Sequence, residues 1–173
     1  GIEGHLGAGV LVLSRHAEIL FWVGRYLQRA AQTGQLVSIT SMSQVERHAS
    51  TDPWRELLEV LYLDDVFLDG HDEVTADGVI EFLTIDRTNP GSIAASVASA
   101  REGLRNLVPV DLLEAVNVSH RAIQSTDQAG LAHLPTRFFD ELGFQAQRID
   151  GVIHDSMVRS DGYRFLVVGR YLE

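Results

Sequence analysis

Along most of this chain apolar residues recur at steps of three and four, as in Leu57, Leu58 and Leu61. That spacing places them on one face of a helix. Strict apolar–polar alternation is lacking, and no Asn-Gly or Asp-Gly turn separates two β-branched runs, so strands and hairpins are not expected. Helix start signals punctuate the pattern. Ser14 can cap a helix from Arg15. Asp52-Pro53 and Asn89-Pro90 each combine a capping side chain with a proline suited to a first helical turn. Thr75 can cap 76–85, Pro109 opens 110–124, Pro135 opens 136–157 and Asp161 can cap 162–173. The stretch 63–74 reads as a loop or a single helical turn, and 125–134 as an exposed connection. The expectation is an all-α fold, a helical bundle of six to seven helices with short loops. It occupies 11–173, and 1–10 are set aside as a linker, a tag remnant or a disordered start.

The pentapeptide Val-Gly-Arg-Tyr-Leu occurs twice, at 23–27 and at 168–172. On a helix the first copy places Ile19, Leu20, Val23, Tyr26, Leu27 and Ala30 on a wide core face. Ala17, Phe21 and Gly24 form a strip of mostly small residues beside it. A glycine in mid-helix costs about 1 kcal/mol relative to alanine, so Gly24 points to a close neighbour. Arg15, Glu18, Trp22, Arg25 and Arg29 form the remaining ridge. In the second copy Phe165, Val168, Tyr171 and Leu172 stand where Leu20, Val23, Tyr26 and Leu27 stand, with Gly169 and Arg170 matching Gly24 and Arg25. The two helices read as equivalent elements, packed on each other or on a common centre, with each glycine admitting a neighbour.

Composition narrows the partners. The formal net charge is −10 and no Lys/Arg cluster offsets it, which argues against a nucleic-acid backbone or an anionic membrane surface. Cysteine is absent, which excludes disulfides, thiolate metal sites and cysteine nucleophiles and fits a cytoplasmic location. No apolar run approaches the roughly 20 residues of a membrane span. His16, His48, His71, His120, His133 and His154 lack metal-ligand spacing, and no nucleotide-binding or nucleophile-elbow motif is present. No cofactor is expected.

Two clusters could carry chemistry. In Ile-Asp-Arg-Thr-Asn-Pro (85–90), Asp86, Arg87 and Asn89 surround a helix start, a place suited to anions; equally, Asn89 caps its own helix while Asp86 and Arg87 tie helices together. Arg15, Glu18, Arg25, Arg87, Arg164 and Arg170 could converge if the three segments that carry them meet in space. Such a centre could bind a carboxylate by bidentate contacts, or it could be a structural charge network.

Three blocks resemble the bacterial alpha-E domain family. They are "LSRHAEILFWVGRYLQRA" at 13–30, "EFLTIDRTNPGSIAASVASAREGLRNL" at 81–107 and "SDGYRFLVVGRYLE" at 160–173. Gln28 stands where the first block usually has Glu, and Tyr163 where the third usually has Trp. The resemblance implies an all-helical domain, of which this chain would be the N-terminal half to two thirds. It implies association with ATP-grasp-type amide ligases and transglutaminase-like peptidases, with ATP used only by a partner ligase. Three readings follow. The first is a helical module that binds a partner enzyme or an acidic carboxylate or peptide substrate through Arg15, Trp22, Arg25, Arg87, Asn89, Arg164 and Arg170. The second is an enzyme of the same pathway, with Glu18 or Asp86 as general acid/base. The third is a structural oligomerisation domain. Separately, a homo-oligomer or a further C-terminal segment is expected to cover the last helix.

Overall fold

The computed structural model describes residues 3–46, 52–105, 107, 110–126, 131, 135–157 and 161–173. Among these residues the chain forms eight helices and no strand. They are α1 (Glu3–Glu46), α2 (Pro53–Val60), α3 (Asp64–Leu68), α4 (Ala76–Thr84), α5 (Ile93–Leu104), α6 (Val110–Gln124), α7 (Pro135–Met157) and α8 (Asp161–Tyr171). The all-α class read from the apolar spacing is the class observed. The expected connection at 125–134 lies mostly outside the described residues.

α1 is the axis of the molecule, and α8 and α5 pack most extensively along it, followed by α7. Leu20, Val23 and Leu27 are buried, with Ile19, Tyr26 and Ala30 packed beside them, so the face expected from the sequence is the core face. α5 and α6 supply Ile93, Val97, Leu104, Leu112 and Val116, while α2, α3 and α4 close one end around Trp54, Phe67 and Phe82. Phe67 and Phe82 meet edge to face with ring centroids 5.2 Å apart, a preferred aromatic geometry.

Two caps form where the sequence places them. Asp52 Oδ1 accepts from Trp54 N at 3.0 Å, and Thr75 Oγ1 accepts from Gly78 N at 3.2 Å. Two starts differ. α1 begins at Glu3, ahead of Ser14, and includes residues set aside as a linker; no proline interrupts 3–14, and the glycines there lower helix propensity without breaking the hydrogen-bond ladder. α5 begins at Ile93, capped by Ser92, whose Oγ accepts from Ala95 N at 3.1 Å. Asn89-Pro90 instead builds the turn before it, closed by Ser92 N donating to Asn89 O at 3.0 Å.

The second Val-Gly-Arg-Tyr-Leu copy departs from the first in burial. Phe165, Val168, Tyr171 and Leu172 are exposed, whereas Leu20, Val23 and Leu27 are buried. α1 is enclosed by several helices, but α8 leans chiefly on α1, so only its Leu166–Gly169 side is covered.

Candidate functional site

The site grows from the crossing of α1 and α8. A Cβ added at Gly24 would lie 2.0 Å from the carbonyl oxygen of Leu166, and one at Gly169 would lie 2.0 Å from the carbonyl oxygen of Phe21. Each contacted carbonyl lies three residues before the glycine on its own helix. The contact is therefore reciprocal, with a local two-fold relation between the two pentapeptides. Only glycine permits the backbones to approach this closely.

That approach sets the polar groups. Arg25 Nε donates to Glu173 Oε2 at 2.8 Å, and Arg29 Nε donates to Glu173 Oε1. On the opposite side Arg170 Nε donates to Gln28 Oε1 at 3.2 Å and Arg170 Nη1 to Asp150 Oδ1 at 2.6 Å. Gln28 and Glu173 each follow a pentapeptide, so the arginine of each copy reaches the residue that follows the other. Burial works against the Glu173 charge, but hydrogen bonds from Arg29 and Arg25, with their positive charges, hold its carboxyl below the ordinary value of 4.5. Its side chain is 10 % exposed, against 29 % and 30 % for Arg25 and Arg29. Two guanidiniums share one carboxylate here, which leaves an excess of positive charge. The Arg25 guanidinium carbon also lies 5.3 Å from the centroid of the Trp22 ring, within cation–π range, and Trp22 stacks on Tyr26.

Beside this clamp lies a cleft of about 450 Å³ between α1, α5, α6, α7 and α8. Its walls include Leu27, Ala30, Ile93, Val97, Phe139, Leu142 and Ile149, and Arg170 and Asp150 stand among its lining residues. An apolar recess with a few convergent polar groups is the usual form of a small-ligand site.

Of the residues singled out from the sequence, Trp22 and Arg25 adjoin on α1 at the crossing, and Arg170 bonds Gln28 and Asp150 from α8. Arg15 and Glu18 are exposed earlier on α1, with no hydrogen bond or ion pair among the described residues. Arg164 is exposed and faces Asp161 at 3.7 Å. Asp86 accepts from Thr88 N and Thr88 Oγ1, both at 2.8 Å. Asn89 is buried; its Nδ2 donates to Phe82 O and its Oδ1 accepts from Gly91 N, both at 2.9 Å. It thus pins the α4–α5 turn. Arg87 is exposed on that turn, and its charge is felt at His120 rather than at the clamp: burial, then Arg101, Arg87 and Arg121, push the His120 pKa below 6.5.

Glu173, Gln28, Arg29 and Asp150 complete the arrangement without having been chosen as site residues. A signal for Glu173 was present. Aligning the pentapeptides sets Glu173 opposite Gln28, so the carboxylate missing after the first copy is supplied after the second. Asp150 comes from α7, whose placement no local pattern fixes. Among the described residues no group of His, Asp and Glu side chains converges as a metal site, and no helix is long and apolar enough to cross a membrane.

The architecture is that of an all-helical domain closed by two equivalent glycine–arginine helices. The chain belongs to the Alpha-E family, described as a predicted alpha-helical domain with a conserved ER motif, whose profile matches residues 12–173. No curated protein and no solved structure matches it.

Proposed function

We propose that this chain is a helical binding module of a peptide-like amide-ligase system, and that its cleft takes a peptide or amino-acid derivative through a carboxylate. The reading rests on the cleft that adjoins Arg170. Arg170 offers a guanidinium whose present partners are a neutral amide and a half-exposed carboxylate. A ligand carboxylate can replace Asp150 there without uncovering a buried charge, and charge-assisted bonds of this kind are stronger than neutral ones. The apolar walls suit the body of such a ligand. ATP and the bond-forming chemistry belong, in this reading, to an ATP-grasp-type ligase; a transglutaminase-like peptidase is the other partner the family resemblance brings in.

Catalysis by the domain itself has less support. Glu18 is exposed and Asp86 is committed to Thr88. Neither lines the cleft. Glu173 is kept ionised by two arginines, which makes it a poor proton donor at neutral pH.

Calorimetric titration with short acidic peptides carrying apolar side chains tests the reading. Binding is expected, and Arg170→Gln should weaken it by about tenfold or more, the loss of one charge-assisted hydrogen bond. Absence of binding, or equal affinity in the Arg170→Gln variant, overturns it.

A further inference from the structure

The end of α2 carries a residue that its backbone disfavours. Tyr62 N donates to Glu59 O at 3.1 Å and Leu63 N donates to Leu58 O at 2.9 Å. This pair of bonds is the Schellman closure, whose first residue past the cap takes the left-handed conformation and is usually glycine. Here it is Tyr62, at φ 55°, and among the described residues it alone of the non-glycines has positive φ. A bulky side chain in that conformation is an outlier. Packing does not compensate, because Tyr62 is 90 % exposed.

Its neighbours extend the anomaly. Val60, Val66 and Leu68 are exposed within the same nine residues, while Leu58 and Phe67 beneath them are fully buried. Four apolar side chains of this short segment are thus exposed while Leu58 and Phe67 are buried. The rim is acidic. Between 52 and 77 the chain carries nine of its 24 Asp and Glu residues and only Arg55 of its 14 Lys and Arg. None of the nine forms an ion pair among the described residues.

We propose that Val60, Tyr62, Val66 and Leu68 form a docking surface for a basic segment of a partner protein, with apolar side chains on the patch and Lys or Arg side chains on its acidic rim. Charge selects this occupant. A second copy would bring nine carboxylates against nine, and an anionic membrane or nucleic acid would be repelled by the same rim. A cationic segment with apolar anchors matches both features, with Tyr62 as an amphipathic anchor of the kind enriched at interface hot spots. This inference is independent of the cleft and its ligand.

The test uses the whole chain and two synthetic peptides, one of alternating lysine and leucine pairs and one with glutamine in place of lysine. Amide shifts on titrating the lysine peptide should concentrate at residues 59–69, and the glutamine peptide should bind at least about tenfold more weakly. Tyr62→Gly should raise the thermal midpoint by about 2–4 °C, because glycine suits the left-handed residue, and should lower peptide affinity about tenfold. The double variant Asp65→Asn, Asp69→Asn should weaken binding while leaving Tyr62 in place. Shifts scattered over the surface or centred elsewhere, unchanged affinity in Tyr62→Gly, or equal binding of the two peptides overturns the proposal. So does self-association that Tyr62→Gly abolishes, which would assign the patch to a second copy.

Discussion

A single methyl group at position 24 or 169 would meet a backbone carbonyl oxygen at 2.0 Å, and a backbone cannot yield as a flexible side chain can. Overpacking costs up to about 3 kcal/mol, and alanine returns about 1 kcal/mol of helix propensity. Gly24→Ala and Gly169→Ala should therefore each destabilise the fold by about 2 kcal/mol in urea unfolding, and their combination should depart from additivity because the two sites share one contact. Glu173 sets a pH dependence at the same crossing. Its carboxyl is held below 4.5 in the folded state, so its stabilising contribution is complete above that pH and is lost as pH falls through the lowered value. Glu173→Gln should lower stability near neutral pH and flatten the acid limb of the stability profile below about pH 4.5. His120, lowered from 6.5 by burial and by three arginines, adds loss of the same sign as pH falls below 6.5, since the folded state prefers its neutral form. His120→Gln should remove that part of the profile. The roles of Gly24 and Gly169 were legible from mid-helix glycines in a repeated word. The role of Asn89 was not, because its partners Phe82 and Gly91 are fixed by a turn that the Asn-Pro signal disguises as a cap.

Between elements, the pairing of α1 with α8 is a cross-over of two similar helices in which arginine and its acceptor trade places. The exchange is unequal, since Arg170 meets the neutral Gln28 where Arg25 meets the charged Glu173. Gln28→Glu should supply the second carboxylate and stabilise the crossing by less than about 1 kcal/mol, because both ends remain partly solvated. The gain should vanish at high salt, which unfolding curves at two ionic strengths would detect. Helix existence was readable for nearly every element, since propensity and apolar spacing agree along each. Boundaries were less so. Ser14 could cap a helix but stands inside one, and Asn89-Pro90 resembles a helix start yet precedes the cap by three residues. A capping side chain marks an end only if the neighbouring backbone leaves the helix, and the local sequence does not decide that.

The whole molecule combines a net charge of −10 with an uneven distribution. Acid concentrates around α2 and α3, and positive charge survives at the clamp and beside His120. Self-repulsion of this size is screened by salt, so the thermal midpoint should rise as ionic strength increases toward physiological values, and the rise should be smaller in the Asp65→Asn, Asp69→Asn variant. The sequence by itself determined the helices, the core face of α1, the acidic balance and the two-fold glycine–arginine motif, because periodicity, composition and close-packing residues act locally. Only the tertiary structure decided that the equivalent face of α8 looks outward, that Arg25 and Arg29 converge on Glu173, and that a cleft opens beside Arg170. Those outcomes depend on which helices surround each face and on how charges from distant segments share one site. Neither is encoded in the spacing of residues along a single element.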